Sequence, residues 1–294
     1  MNEAIELYYY HDKMIDELFS DIALEAIEAN DTDVNKSDPN TGTNTLKNFA
    51  DKVSEQAERI YEMLKSMVQR CIDKVMSIIN EALVTHKGFV KEMDRCIKAY
   101  KPKDTITIVN YNYNPSYIDG FTDKFTNEFN KVESEFKNGP DNLPENSLLN
   151  MDKEQLNEHF KKLLNLPSSI EELNSAYSFI KTKFRGNKTE QTLNNSDRTK
   201  AIEVVRGYTK YQDKLNTDME KCKKITNTIK FQLRSQRIKN NKDVATRKKM
   251  NQMLRNISSM FNIYTTFVRS LYNLRMEYYF NNRVIVKKFY NMKI

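Results

Sequence analysis

Apolar side chains recur every seven residues through the C-terminal part of the chain. Met250, Ile257, Tyr264, Leu271, Tyr278, Ile285 and Met292 form one unbroken series. Met253, Met260, Phe267 and Leu274 fill a second position, three residues after each of the first four. A heptad repeat sustained this far predicts a long helix packed lengthwise on other helices, with Met250, Ile257, Tyr264, Leu271, Tyr278 and Ile285 as its packing interface. Leu254, Phe261 and Val268 widen the stripe beyond a two-stranded seam, so the first half of this helix should touch more than one neighbour. It is expected to run from about Val244 nearly to the end. An arm from Asp197 to about Lys239 precedes it, with its own ladder of Ala201, Tyr208, Leu215, Cys222 and Ile229. The break at Asn240–Asp243 is short, which predicts an antiparallel hairpin whose arms are roughly 65–70 Å long. One continuous bent helix is the competing reading.

The same patterning organises the rest of the chain. Residues 1–29 read as an acidic amphipathic helix, and the Asn-, Asp- and Thr-rich stretch 30–44 as a loop. Residues 45–100 read as one long helix, with Leu46, Val53, Ile60 and Met67 at heptad spacing and Gly88 as a candidate bend. Residues 103–186 read as a smaller insertion of short helices, one of them carrying the stripe Phe121, Phe125, Phe129, Val132 and Phe136. Within it, residues 105–113 alternate and are β-branched or aromatic, a strand candidate with no evident partner; an extended loop is the alternative. Residues 186–196 read as a polar linker, and 197–294 as a long basic helical hairpin. The fold class expected is all-α, an elongated bundle of long antiparallel coiled-coil-like helices with a smaller helical insertion.

Composition agrees with this pattern. Six glycines and six prolines in 294 residues leave few breaks, and 30% charged residues suit long solvated helices. Charge is unevenly spread. Residues 1–33 carry ten acids and one Lys, whereas residues 198–294 carry twenty-three Lys or Arg against six acids. The two ends should attract each other, within one subunit or head to tail between subunits. Three scattered cysteines without a CxxC argue for a reducing compartment rather than a disulfide framework. The start lacks the basic-then-apolar build of a signal peptide, and no apolar run reaches the ~20 residues of a membrane span. A cytoplasmic location, or one within a viral particle, follows as the expectation.

Signals for catalysis are poor. No phosphate-cradling glycine motif can be assembled from the six isolated glycines. His11, His86 and His159 have no partners at metal-ligand spacing, and each reads as a surface histidine. Cys71 and Cys222 lie on apolar faces and read as small core residues. Asp31–Gly42 begins like a calcium-binding loop but has Lys36 where the turn needs glycine and Gly42 where a bidentate acid belongs. No catalytic residue, metal site, cofactor, membrane or small-molecule substrate is expected. The clearest binding candidate is the hairpin tip, where Arg234, Arg237, Lys239, Lys242, Arg247, Lys248 and Lys249 face only Asp243. Such a tip fits an acidic protein face or a nucleic-acid backbone. The function expected is a non-enzymatic structural or assembly protein in a larger complex, with a phage or virus particle as the setting and self-association or other protein partners. A nucleic-acid-binding or packaging protein is the alternative.

Overall fold

The computed structural model describes residues 10–15, 17, 42–138, 142–171, 173–210, 213, 214, 217, 220, 223, 224, 227 and 244–292. Seven helices are named here: α1 (Gly42–Ala99), α2 (Ser116–Asp119), α3 (Phe121–Asn138), α4 (Lys153–Leu163), α5 (Leu173–Arg185), α6 (Asn195–Arg206) and α7 (Val244–Tyr290). Two strands, β1 (Ile106–Tyr111) and β2 (Lys188–Leu193), form one antiparallel sheet. The class is therefore all-α with a small sheet. No helix among the described residues is long and apolar enough to cross a membrane. The chain divides into two compact units, each assembled from three separate stretches. Unit one holds residues 1–70, 124–165 and 220–266; unit two holds 71–123, 166–219 and 267–294.

In α7 the apolar stripe is wider than a seam. All residues from Met260 to Tyr272 are buried. Ile257, Tyr264, Leu271 and Ile285 of the heptad series are buried, but Tyr278 is only half-buried and its neighbour Tyr279 is inaccessible. The cause is geometric. A helix of 3.6 residues per turn drifts about 20° per heptad, so a strict seven-residue series rotates off the core unless the helices supercoil. The buried positions instead repeat at eighteen residues, five full turns: Leu254, Tyr272 and Tyr290; Phe261 and Tyr279; Val268 and Val286; Leu271 and Phe289. The side chain of Met250 lies outside the described residues.

Unit one packs aromatic rings of α3 and α4 against α7. The expected stripe of α3 is buried, and Phe125 stacks on Phe160 at 5.5 Å and meets Tyr264 at 5.4 Å. Phe129 sits edge-on to Phe261 and Tyr264. Helix α4 starts where Asp152 accepts from the Gln155 amide at 2.8 Å, while the Gln155 side chain accepts from the Asp152 amide at 3.0 Å. This reciprocal cap fixes the helix start. The loop before it hangs on α7: Asn256 Nδ2, itself buried, donates to the carbonyls of Leu148 and Met151 at 2.8 and 2.7 Å.

In unit two the long helices are of both senses, where antiparallel packing was expected. Cys71 of α1 lies beside Arg269 of α7, Thr85 accepts from Arg283, and Phe89 lies under Arg283 and Lys287. The contacts advance together, so α1 and α7 run parallel here. Helix α6 runs the other way: Arg198 sits over Phe289 and Tyr290, and Tyr208 meets Tyr279 and Met276.

The strand candidate is a strand, and its partner comes from the stretch read as a linker. Register runs from Ile106 opposite Leu193 to Tyr111 opposite Lys188. Residues Lys188–Leu193 bury only Leu193, so no alternation of apolar side chains announced β2. Pairing satisfies the backbone of β1, whose Ile106 and Ile108 are buried. Gly186 makes the turn from α5 into β2 with φ +61; a Cβ there would lie 2.6 Å from the Asn112 carbonyl oxygen.

Helix α1 continues through Gly88, so the glycine does not end it. Tyr279→Ala is expected to lower stability by about 3–5 kcal/mol, and Tyr278→Ala by distinctly less. Urea unfolding of the two variants checks this; a continued heptad seam would put them in the opposite order.

Candidate functional site

The predicted basic tip lies mostly outside the described residues. Arg234, Arg237, Lys239 and Lys242 fall there, as does the break at Asn240–Asp243, the acidic loop Asp31–Thr41 and Cys222. Arg247 and Lys248 are helical positions of α7 whose side chains are likewise outside, and Lys249 is exposed.

The charges can still be allotted by unit. Unit one carries 25 Lys and Arg against 25 Asp and Glu, and unit two 22 against 15. The acidic N-terminal stretch 1–70 and the basic stretch 220–266 belong to the same unit, where their charges cancel. The chain's whole excess of +7 therefore falls to unit two.

Two polar clusters tie elements of unit two together, the first half-buried and the second buried. In the first, Arg185 of α5 donates to both carboxylate oxygens of Glu277 on α7, through Nε at 2.7 Å and through Nη2. The Tyr113 hydroxyl donates to the same carboxylate at 2.9 Å. Arg185 also stacks over Tyr111 at 5.1 Å, so one guanidinium ties α5, α7 and the end of β1. Burial and the Glu277 carboxylate push the Tyr113 phenol well above the usual tyrosine range. In the second cluster, His86 of α1 is buried, contrary to the surface position expected. Its Nδ1 shares a hydrogen bond of 2.8 Å with the Tyr279 hydroxyl, and its ring lies 5.1 Å from that of Tyr208. Burial, then the nearby Arg283, hold the imidazole below its ordinary value. His86 stands three residues before Phe89 and seven before Met93, both buried, so helical spacing puts it on the apolar face.

Unit one repeats the theme. His11 is also buried, four residues before the buried Ile15. Burial, then Arg70, hold its imidazole low, while a hydrogen bond between the imidazole and the Asn262 side chain works the other way. His159 lies 3.2 Å from Glu128, and Lys131 reaches the same carboxylate at 2.8 Å. Those hydrogen bonds hold Glu128 below the usual carboxylate range against the effect of its burial.

These groups bind one another across helices. Cys71 is inert as a nucleophile at neutral pH, because burial pushes its thiol up to about 12. Cys96 is also raised by burial, and its neighbour is Glu92 rather than a histidine. Among the described residues no group of three His, Cys, Asp or Glu side chains could hold a metal ion. No protein family, no curated protein and no solved structure matches this chain.

Glu277→Gln is expected to cost about 1–3 kcal/mol, because it removes a charged acceptor from Arg185 and Tyr113; thermal unfolding checks it. Stability should also fall as pH drops below the ordinary histidine range. The unfolded chain takes up protons at the ordinary value of His11 and His86, and the folded chain only at a lower pH, so the loss builds between the two. His86→Gln should flatten part of that slope in urea titrations at successive pH values. An unchanged slope in this variant would remove His86 from the account.

Proposed function

We propose that this chain is a non-enzymatic structural or assembly protein that works by packing long helices in a larger complex. The observation that supports this reading is the use made of polar groups buried or half-buried between elements. Asn256, Glu277, Arg185, Tyr113 and His86 each hold one element against another. Such groups fix geometry, which is what a scaffold needs, and they are engaged by each other rather than by a reacting atom. The long helix α1 and the C-terminal turns of α7, which keep exposed positions beside their buried stripes, are the elements through which further copies or other proteins are joined. A phage or virus particle, or its assembly machinery, is the setting proposed.

A second reading, nucleic-acid binding or packaging, is favoured by one observation: the entire excess of positive charge belongs to unit two. On the first reading, light scattering coupled to size-exclusion chromatography should give a mass above that of one chain, rising with protein concentration. A single-chain mass at every concentration would remove self-association and leave only assembly with other proteins.

A further inference from the structure

Four cations line one exposed face near the C-terminal end of α1. Lys87, Lys91, Arg95 and Lys98 follow at intervals of four, four and three residues, and all are exposed. At 100° per residue they fall within an arc of about 80° and span about 17 Å of helix. Lys101, also exposed, follows just past the helix end. The two acids of this stretch are each engaged by an arginine. Asp94 is in phase with the cations and accepts from Arg206 at 2.7 Å, which brings a further cation from α6 to the same face. Glu92, on the flank, is held by Arg95.

Gly88 borders this face at its N-terminal end, about 20° beyond Arg95 in projection and three residues before Lys91. It is exposed and helical, and a Cβ there would meet nothing within 4 Å. Among the described residues no contact requires glycine here, although glycine weakens a helix interior relative to alanine. A bare backbone spot bordering a row of cations suits close approach by something from outside the chain.

We propose that this face of α1 docks the phosphate backbone of double-stranded nucleic acid, with a sugar-phosphate strand crossing at Gly88. The proposal rests on the second reading above, but on residues distinct from the hairpin tip. A duplex offers one charge per about 1.7 Å of its axis, so a straight row of cations along a helix meets many phosphates. The exposed side chains of α1 from Val84 to Lys98 include no aromatic ring, and the exposed Tyr100 follows only past the helix end, so the row itself offers phosphate contacts. Two copies of this chain could not share the face symmetrically, because the same cations would oppose each other.

The test is fluorescence anisotropy of a labelled DNA duplex with the full-length protein across a salt series. Four variants are compared: Lys87→Gln/Lys91→Gln/Lys98→Gln; Arg234→Gln/Arg237→Gln/Lys239→Gln/Lys242→Gln; Gly88→Leu; and Asp94→Asn. The triple variant is expected to bind at least about tenfold more weakly at low salt, with a slope of log K against log salt reduced by up to about 2.7. Gly88→Leu should keep or raise the unfolding midpoint and yet bind more weakly, which a purely structural glycine would not do. Asp94→Asn should bind more tightly and steepen the slope by up to about 0.9. No binding by the wild type would overturn both this proposal and the second reading. Loss of binding in the tip variant alone, with the triple variant unchanged, would overturn the proposal and leave the second reading standing. Equal competition by polyglutamate or by a single strand, at matched charge, would overturn the assignment to a duplex.

Discussion

The middle of α7 is buried on every side, and that constraint governs much of what surrounds it. A helix with no solvent face must find a neighbour for each of its faces, and every polar atom on it must find a partner inside the protein. Neighbours of different sense supply the faces. In unit one the rings of α3 and α4 cover Phe261 and Tyr264. In unit two α1 runs parallel to α7 while α6 runs against it. The polar atoms are dealt with just as locally. Ser258 and Thr265 return their hydroxyls to carbonyls one turn back, and Asn282 does the same with its amide. Asn256 instead reaches outward and fixes the loop before α4.

Closure of this kind limits the chemistry available. Glu277 accepts two hydrogen bonds from an arginine and one from a phenol, so most of its acceptor capacity is used inside the protein. An imidazole buried beside an arginine resists protonation and is a poor general acid near neutral pH, which describes His86. These perturbed groups sit between helices. Perturbation arises there because burial and neighbouring charge act together, and both are by-products of packing.

Much of this arrangement is legible in the chain. The heptad series locates α7 and its first packing positions, and the phenylalanine stripe locates α3. The series misleads at Tyr278, because a pattern of seven is followed by a helix that keeps 3.6 residues per turn, and Tyr279 takes the core position. Strand β2 leaves no trace in hydropathy: Lys188–Leu193 is polar, and it is a strand because β1 needs a backbone partner. His11 and His86 look like surface residues by type, yet their spacing to Ile15 and to Phe89 and Met93 places them on buried faces. The cationic row on α1 is hidden by addition. Residues 71–123 hold seven charges of each sign, so their sum is zero, and only the interval between lysines shows that one sign occupies one face.

Charge also constrains how copies of the chain could meet. The acidic stretch 1–70 and the basic stretch 220–266 are both assigned to unit one, whose charges sum to zero. What remains is the surplus on unit two, and like surplus repels across an interface. At physiological ionic strength that repulsion reaches only about 8 Å, so apolar contact can overcome it where faces fit closely. Where lysines line the face, as on α1, a bound polyanion relieves the repulsion by replacing many mobile counterions with one fixed partner. On the two readings proposed above, assembly and polyanion binding would be coupled rather than competing, because the second would remove the electrostatic obstacle to the first.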